Sequence, residues 1–221
     1  MTQQYPKIRT QLLLVWIWIR NSNNNNTYVI REAQLAMVVF LGWESLRFLP
    51  YLKMEMTLWQ QIKVVEKLHD LYPEPDLPLL RKAYESDRFY ASELVMRIIR
   101  KFRLESEVDY ILNFLDHPDH DRREVAIYCI QSFSLINGQQ QVFKKKFFRI
   151  PNTQQQVNLL KYFHTNSFQI DLEFYKKLLN SGNEILKLST AEILWDSGYI
   201  KIVEEFYYGQ YNSETIEENV L

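Results

Sequence analysis

The sequence predicts an all-α protein, a solenoid of about six stacked helical hairpins with a period of about 31 residues. Three observations predict it. Apolar residues recur at helical spacing along most of the chain, and no strand-like alternation interrupts them. Polar turns containing Asn, Asp or Pro separate the apolar runs. The junctions at which a turn opens a second helix fall near residues 27, 57, 88, 121, 153 and 184, spaced by 30 to 33 residues.

Residues 5–20 read as a first helix with the apolar centre LLLVWIWI at 12–19. The polar run NSNNNNT at 21–27 cannot extend it, and Asn26 or Thr27 caps the next helix. That helix, 28–41, carries Ile30, Ala33, Met37, Phe40 and Leu41 around most of its circumference, so it must be covered on more than one side. A helix from about Glu44 contains Pro50, which removes a backbone donor and is expected to kink it.

Residues 57–72 place Leu58, Ile62, Val65, Leu68 and Tyr72 on one face, and Pro73 and Pro75 stop the helix. Asp76 and Pro78 suit the cap and first turn of a helix over 77–85. Residues 88–103 hold the strongest periodicity, through Ala91, Leu94, Val95, Ile98, Ile99 and Phe102. Arg97, Arg100, Lys101 and Arg103 crowd its last turns, where the helix dipole favours cations.

The clearest hairpin is 111–137, with the turn DHPDHD at 116–121. Pro118 fixes φ there, and Asp119 or Asp121 is placed to accept from the first N–H groups of a helix whose stripe is Ala126, Cys129, Ile130 and Phe133. Further helices are predicted over 140–149, 153–164, 171–180, 184–195 and 199–208. Residues 1–208 are thus expected to form one domain, followed by a flexible acidic tail over 209–221 that contains Glu214, Glu217 and Glu218.

The junctions share more than their spacing. Ile30-Arg31-Glu32-Ala33, Asp119 with Arg122-Arg123 and Ala126, and Leu186-Lys187 followed by Ser189-Thr190-Ala191 resemble the opening of the second helix in HEAT repeats and their bacterial HEAT-like relatives. Arg31, Arg123 and Lys187 stay in register across the intervening units, and Pro50 resembles the proline that often kinks the family's first helix. Gln61, Ser92 and Gln155 stand where the family prefers a basic residue. The resemblance implies a right-handed α-solenoid that acts as a non-enzymatic protein-binding scaffold, with no cofactor. A greasy first helix without a polar cap is what an array continuing before residue 1, or a docking face, would present.

The net charge of −1 argues against a dedicated nucleic-acid binder. Its distribution is uneven: the balance of basic over acidic residues is +1 for 1–76, +4 for 77–169 and −6 for 170–221. Five Trp, fourteen Tyr and thirteen Phe at helical spacing are expected to fill a core. Cys129 is alone, cannot form an internal disulfide, and reads as a buried small hydrophobe in a reducing, cytoplasmic compartment. The eight-residue apolar run at 12–19 is too short to span a bilayer, yet Leu12, Trp16 and Trp18 would suit peripheral membrane docking.

Two clusters carry polar chemistry. Asp116, His117, Asp119, His120 and Asp121 include metal-ligating types, but a capped turn explains them without a metal. The stretch VFKKKFFRI at 142–150 would suit anionic lipid or single-stranded nucleic acid, and equally a core face of Phe143, Phe147 and Ile150 with lysines outside. No phosphate-cradling glycine loop, hydrolase elbow or zinc-protease motif occurs, so no catalytic residue is predicted. If a partner-binding ridge exists, its residues are Arg97, Arg100, Arg122, Arg123, Lys144, Lys145 and Lys146, facing an acidic segment of another protein. Two other readings stand beside it: a membrane-associated accessory domain, and a HEAT-like nucleic-acid-binding or repair protein.

Overall fold

Six helices open within one residue of the junctions predicted from the turns, at Thr27, Leu58, Phe89, His120, Thr153 and Glu184. The computed structural model describes residues 27–51, 56–84, 89–166 and 171–218, and among these it is all-helical with no strand. In chain order the α-helices are α1 (Thr27–Leu41), α2 (Leu58–Leu71), α3 (Leu77–Tyr84), α4 (Phe89–Lys101), α5 (Val108–Leu112), α6 (His120–Ile130), α7 (Asn137–Phe147), α8 (Thr153–Asn166), α9 (Leu172–Leu179), α10 (Glu184–Asp196) and α11 (Ile200–Glu218). Short 3-10 helices occupy Gly42–Tyr51 and Glu105–Glu107. No helix among the described residues is long and apolar enough to cross a membrane.

Local chemistry sets most of these starts. Thr57 and Gln60 form a reciprocal capping box at α2, the Thr57 N–H donating to Gln60 Oε1 at 2.9 Å and the Gln60 N–H to Thr57 Oγ1 at 3.4 Å. Asp76, Asp119, Asn152, Asp171 and Asn183 each accept from the N–H three residues on, at 3.0 to 3.2 Å.

Contacts divide the chain into two compact units, Met1–Phe133 and Ser134–Leu221. In the first, α4 packs against both α2 and α6, while α3 packs on α4 and α5 on α6. Leu68, Leu80, Leu94, Ile98, Ile99, Ile111, Ala126 and Ile130 are fully enclosed between them. In the second, α10 packs against α8, α9 and α11, and Phe143 and Phe147 of α7 are fully buried against rings of α8 and α9.

One position recurs at the 31-residue spacing. Gln61, Ser92, Arg123 and Gln155 are all buried, at 2, 5, 5 and 6% exposure. Gln61 Nε2 donates to the Met56 carbonyl at 3.0 Å, and Arg123 Nη1 to the His117 carbonyl at 2.7 Å. Gln61 and Arg123 therefore both reach back to a carbonyl of the turn before their helix, and a neutral amide does this as a guanidinium does.

Three segments differ from the sequence expectation. Residues 42–51 form a 3-10 helix rather than a kinked α-helix. Gly42 has φ +55, which takes the chain out of α geometry after Leu41. A Cβ at Gly42 would also meet the Tyr72 ring at 2.8 Å, so only glycine fits where Tyr72 donates to the Val39 carbonyl at 2.6 Å. Helix α7 starts at Asn137, three residues before the expected 140. Helix α11 runs on to Glu218, past the expected end at 208, through a segment rich in the strong helix former Glu. The predicted first helix, with Leu12, Trp16 and Trp18, lies outside the described residues.

Candidate functional site

Three long-range arginine contacts in the first unit converge on one groove. Its walls come from Ile62, Val65 and Glu66 on α2, from Arg97, Arg100 and Lys101 on α4, and from Tyr128 on α6, closed at one end by Arg103 and Ser132. Residues at i, i+3 and i+4 share a helix face, so each helix supplies its lining from one stripe. The groove is open to solvent and its volume is about 430 Å³, within the range of small-ligand pockets.

Each arginine is anchored by part of its head. Arg97 Nε donates to Gln61 Oε1 at 2.9 Å, and Gln61 in turn donates to Glu93 Oε2 at 2.9 Å. Arg100 Nε donates to Ser132 Oγ at 2.7 Å, and its guanidinium lies 3.8 Å over the Tyr128 ring. Arg97 approaches the same ring at 5.9 Å. Arg103 Nη1 donates to the Ser132 carbonyl. Among the described residues, none of Arg97, Arg100, Lys101 and Arg103 forms an ion pair, while Glu66 is paired with Lys63 at 2.9 Å. The groove therefore gathers four cations beside one carboxylate, Glu66, that is already paired with Lys63, a charge balance that suits an anion.

Arg103 breaks a local rule. Leu104 N donates to the Ile99 carbonyl at 3.0 Å and Arg103 N to the Arg100 carbonyl at 3.3 Å, the paired bonds of a Schellman cap. The cap needs a left-handed residue, and Arg103 adopts φ +54 where glycine is usual.

The other predicted ridge residues have different surroundings. Arg122 is half-buried beside His117, its Nη1 3.4 Å from His117 Nε2. Arg123 is buried under its turn. Lys144, Lys145 and Lys146 belong to the second unit, where Lys144 is ion-paired with Asp171 and Lys145 is exposed. In the acidic turn, Asp119 caps α6 and its own N–H donates to His117 Nδ1 at 3.1 Å. No group of three or more metal-ligating side chains gathers among the described residues. Cys129 lies behind Tyr128, and burial pushes its thiol up to about 12 against the opposing pull of Arg97 and Arg100. Such a thiol is not a nucleophile at neutral pH.

Lys144 and Asp171 give a pH test of the second unit. The Lys144 ammonium, followed by the Phe174 N–H, holds the Asp171 carboxyl below its ordinary 3.8. A depressed folded value stabilises above the unfolded one and is lost as pH falls through the folded one. Asp171→Ala is expected to cost about 1–2 kcal/mol at neutral pH, mainly through the cap, and markedly less in acid. Urea titrations of both chains at the two pH values would show the difference; an equal loss at both would remove the ion from the account.

Arg97 and Arg100 were legible as a basic helix end. Tyr128 and Ser132 carried a signal only in register: Glu66, Arg97 and Tyr128 lie 31 apart, as do Lys101 and Ser132. The chain matches no protein-family model, no curated protein and no solved structure.

Proposed function

We propose that this protein is a non-enzymatic scaffold, a HEAT-like α-solenoid of about six hairpins, that holds an acidic segment of a partner protein in the groove of α2, α4 and α6. Four cations that form no ion pair among the described residues, gathered in one concave site whose lining carboxylate, Glu66, is paired with Lys63, carry the reading. Helix starts at intervals of about 31 residues and the row α2, α4, α6 support the solenoid, since stacked second helices commonly build the ligand-facing side of such arrays. A reducing, cytoplasmic setting suits the single buried thiol. Nucleic acid fits less well, because the cations form one short cluster and Arg123, on the neighbouring helix α6, is spent on its turn.

A fluorescein-labelled peptide of mixed Asp and Glu, titrated by anisotropy at low salt, tests the proposal. Arg100→Gln removes one charge-assisted contact and is expected to weaken binding about tenfold. Binding that is absent, or that Arg100→Gln and Lys101→Gln leave unchanged, would sink it.

A further inference from the structure

We infer that the groove is a receptor for a phosphorylated side chain of the partner, gripped by Arg97, Arg100, Lys101 and Arg103. The inference rests on the groove being the partner site and names the group it takes. Charge is the first argument. A carboxylate offers one negative charge and two oxygens; a phosphomonoester offers nearly two charges and three oxygens. Four cations beside a single lining carboxylate, Glu66, which is itself paired with Lys63, are better balanced by the dianion, and the remaining Nη groups of two arginines supply more donors than one carboxylate accepts.

Preorganisation is the second. Arg97 and Arg100 are fixed through Nε, to Gln61 and Ser132, and the Arg100 guanidinium sits 3.8 Å over the Tyr128 ring. Ser132 receives both Arg100 and Arg103, one on its hydroxyl and one on its carbonyl. Their forks are oriented before a ligand arrives, so little side-chain entropy remains to be lost on binding.

Arg103 is the third. A non-glycine residue in the left-handed region costs about 1–2 kcal/mol, and the position demands no side chain for the cap itself. A cation kept there against that cost completes the groove. Ile62 and Val65 form an apolar wall beside the charges, which suits the residues flanking a modified side chain more than a bare polyanion.

The test uses the full chain and three short peptides with Leu-rich flanks, identical except for a central phosphoserine, glutamate or serine. Inorganic phosphate and a short single-stranded RNA are titrated alongside. The phosphoserine peptide is expected to bind about tenfold or more tighter than the glutamate peptide, and tighter than phosphate or RNA. Its affinity is expected to fall severalfold on acidification through the second phosphate ionisation at about pH 6. Arg103→Gly is expected to weaken it about threefold to tenfold without lowering the unfolding midpoint, because relief of backbone strain offsets the lost contact, and Arg103→Lys to restore part of the loss. Equal binding of the glutamate peptide, tighter binding of RNA or free phosphate, or indifference to Arg103→Gly would each overturn the inference. Groove-dependent binding of acidic and phosphorylated peptides alike would leave the scaffold reading standing; binding of neither would remove both.

Discussion

Phe143→Ala is expected to destabilise the second unit by about 3–5 kcal/mol, the largest effect of any single substitution considered for this protein. Phe143 is fully buried, and its ring stacks on Phe163 at 4.8 Å and 11°. It also meets Phe147 at 6.0 Å and Tyr162 at 6.4 Å, so truncation removes one member of an aromatic cluster and leaves a cavity that neighbouring rings cannot fill without leaving their own packing. The surrounding lysines fare differently. Lys145 is exposed, and Lys145→Gln is expected to stay within about 0.5 kcal/mol of the parent chain. Urea unfolding followed by far-ultraviolet circular dichroism measures both. A loss below about 1 kcal/mol for Phe143→Ala would mean that this aromatic run faces outward and would return it to the lipid or nucleic-acid reading.

Arg123→Met is expected to cost about 2–4 kcal/mol, next in size. The residue is 5% exposed and its Nη1 donates to the His117 carbonyl, with the Pro118 carbonyl 3.5 Å away. Methionine fills much of the volume but supplies no donor, so turn carbonyls beneath α6 lose a partner where water has little access. Arg123→Gln retains a donor, as Gln61 does at the corresponding position of α2, and is expected to recover a substantial part of the loss. Thermal unfolding of the two variants compares them directly. Equal destabilisation by Met and Gln would mean that charge, rather than a donor to the turn, holds this position.

The two neighbours Arg122 and Arg123 show where sequence reading stops. They are identical in composition and adjacent in chain, yet one is half-buried beside His117 and the other is buried and tied to the turn. Helical phase separates them by about 100°. Which direction meets solvent depends on the helices packed around α6, and that is a property of distant residues. The stretch 142–150 was easier, because Phe143, Phe147 and Ile150 share one face and the lysines fall between them; all three apolar residues are buried. The groove itself was half legible. Arg97, Arg100, Lys101 and Arg103 were visible as a basic helix end with a dipole explanation sufficient for all of them. Nothing local marked Tyr128 or Ser132 as their partners.

By itself the sequence determined the all-helical class and the positions at which helices open, since apolar periodicity and Asp, Asn and Thr caps act over three or four residues and need no tertiary partner. Only the tertiary structure decided which cations share a site. The bonds that orient them join residues 29 to 36 positions apart, as in Arg103 to Ser132, Arg100 to Ser132 and Arg97 to Gln61. Contacts of that span exist only once α2, α4 and α6 are packed side by side, burying the apolar stripes and leaving the charged edges of three helices around one groove.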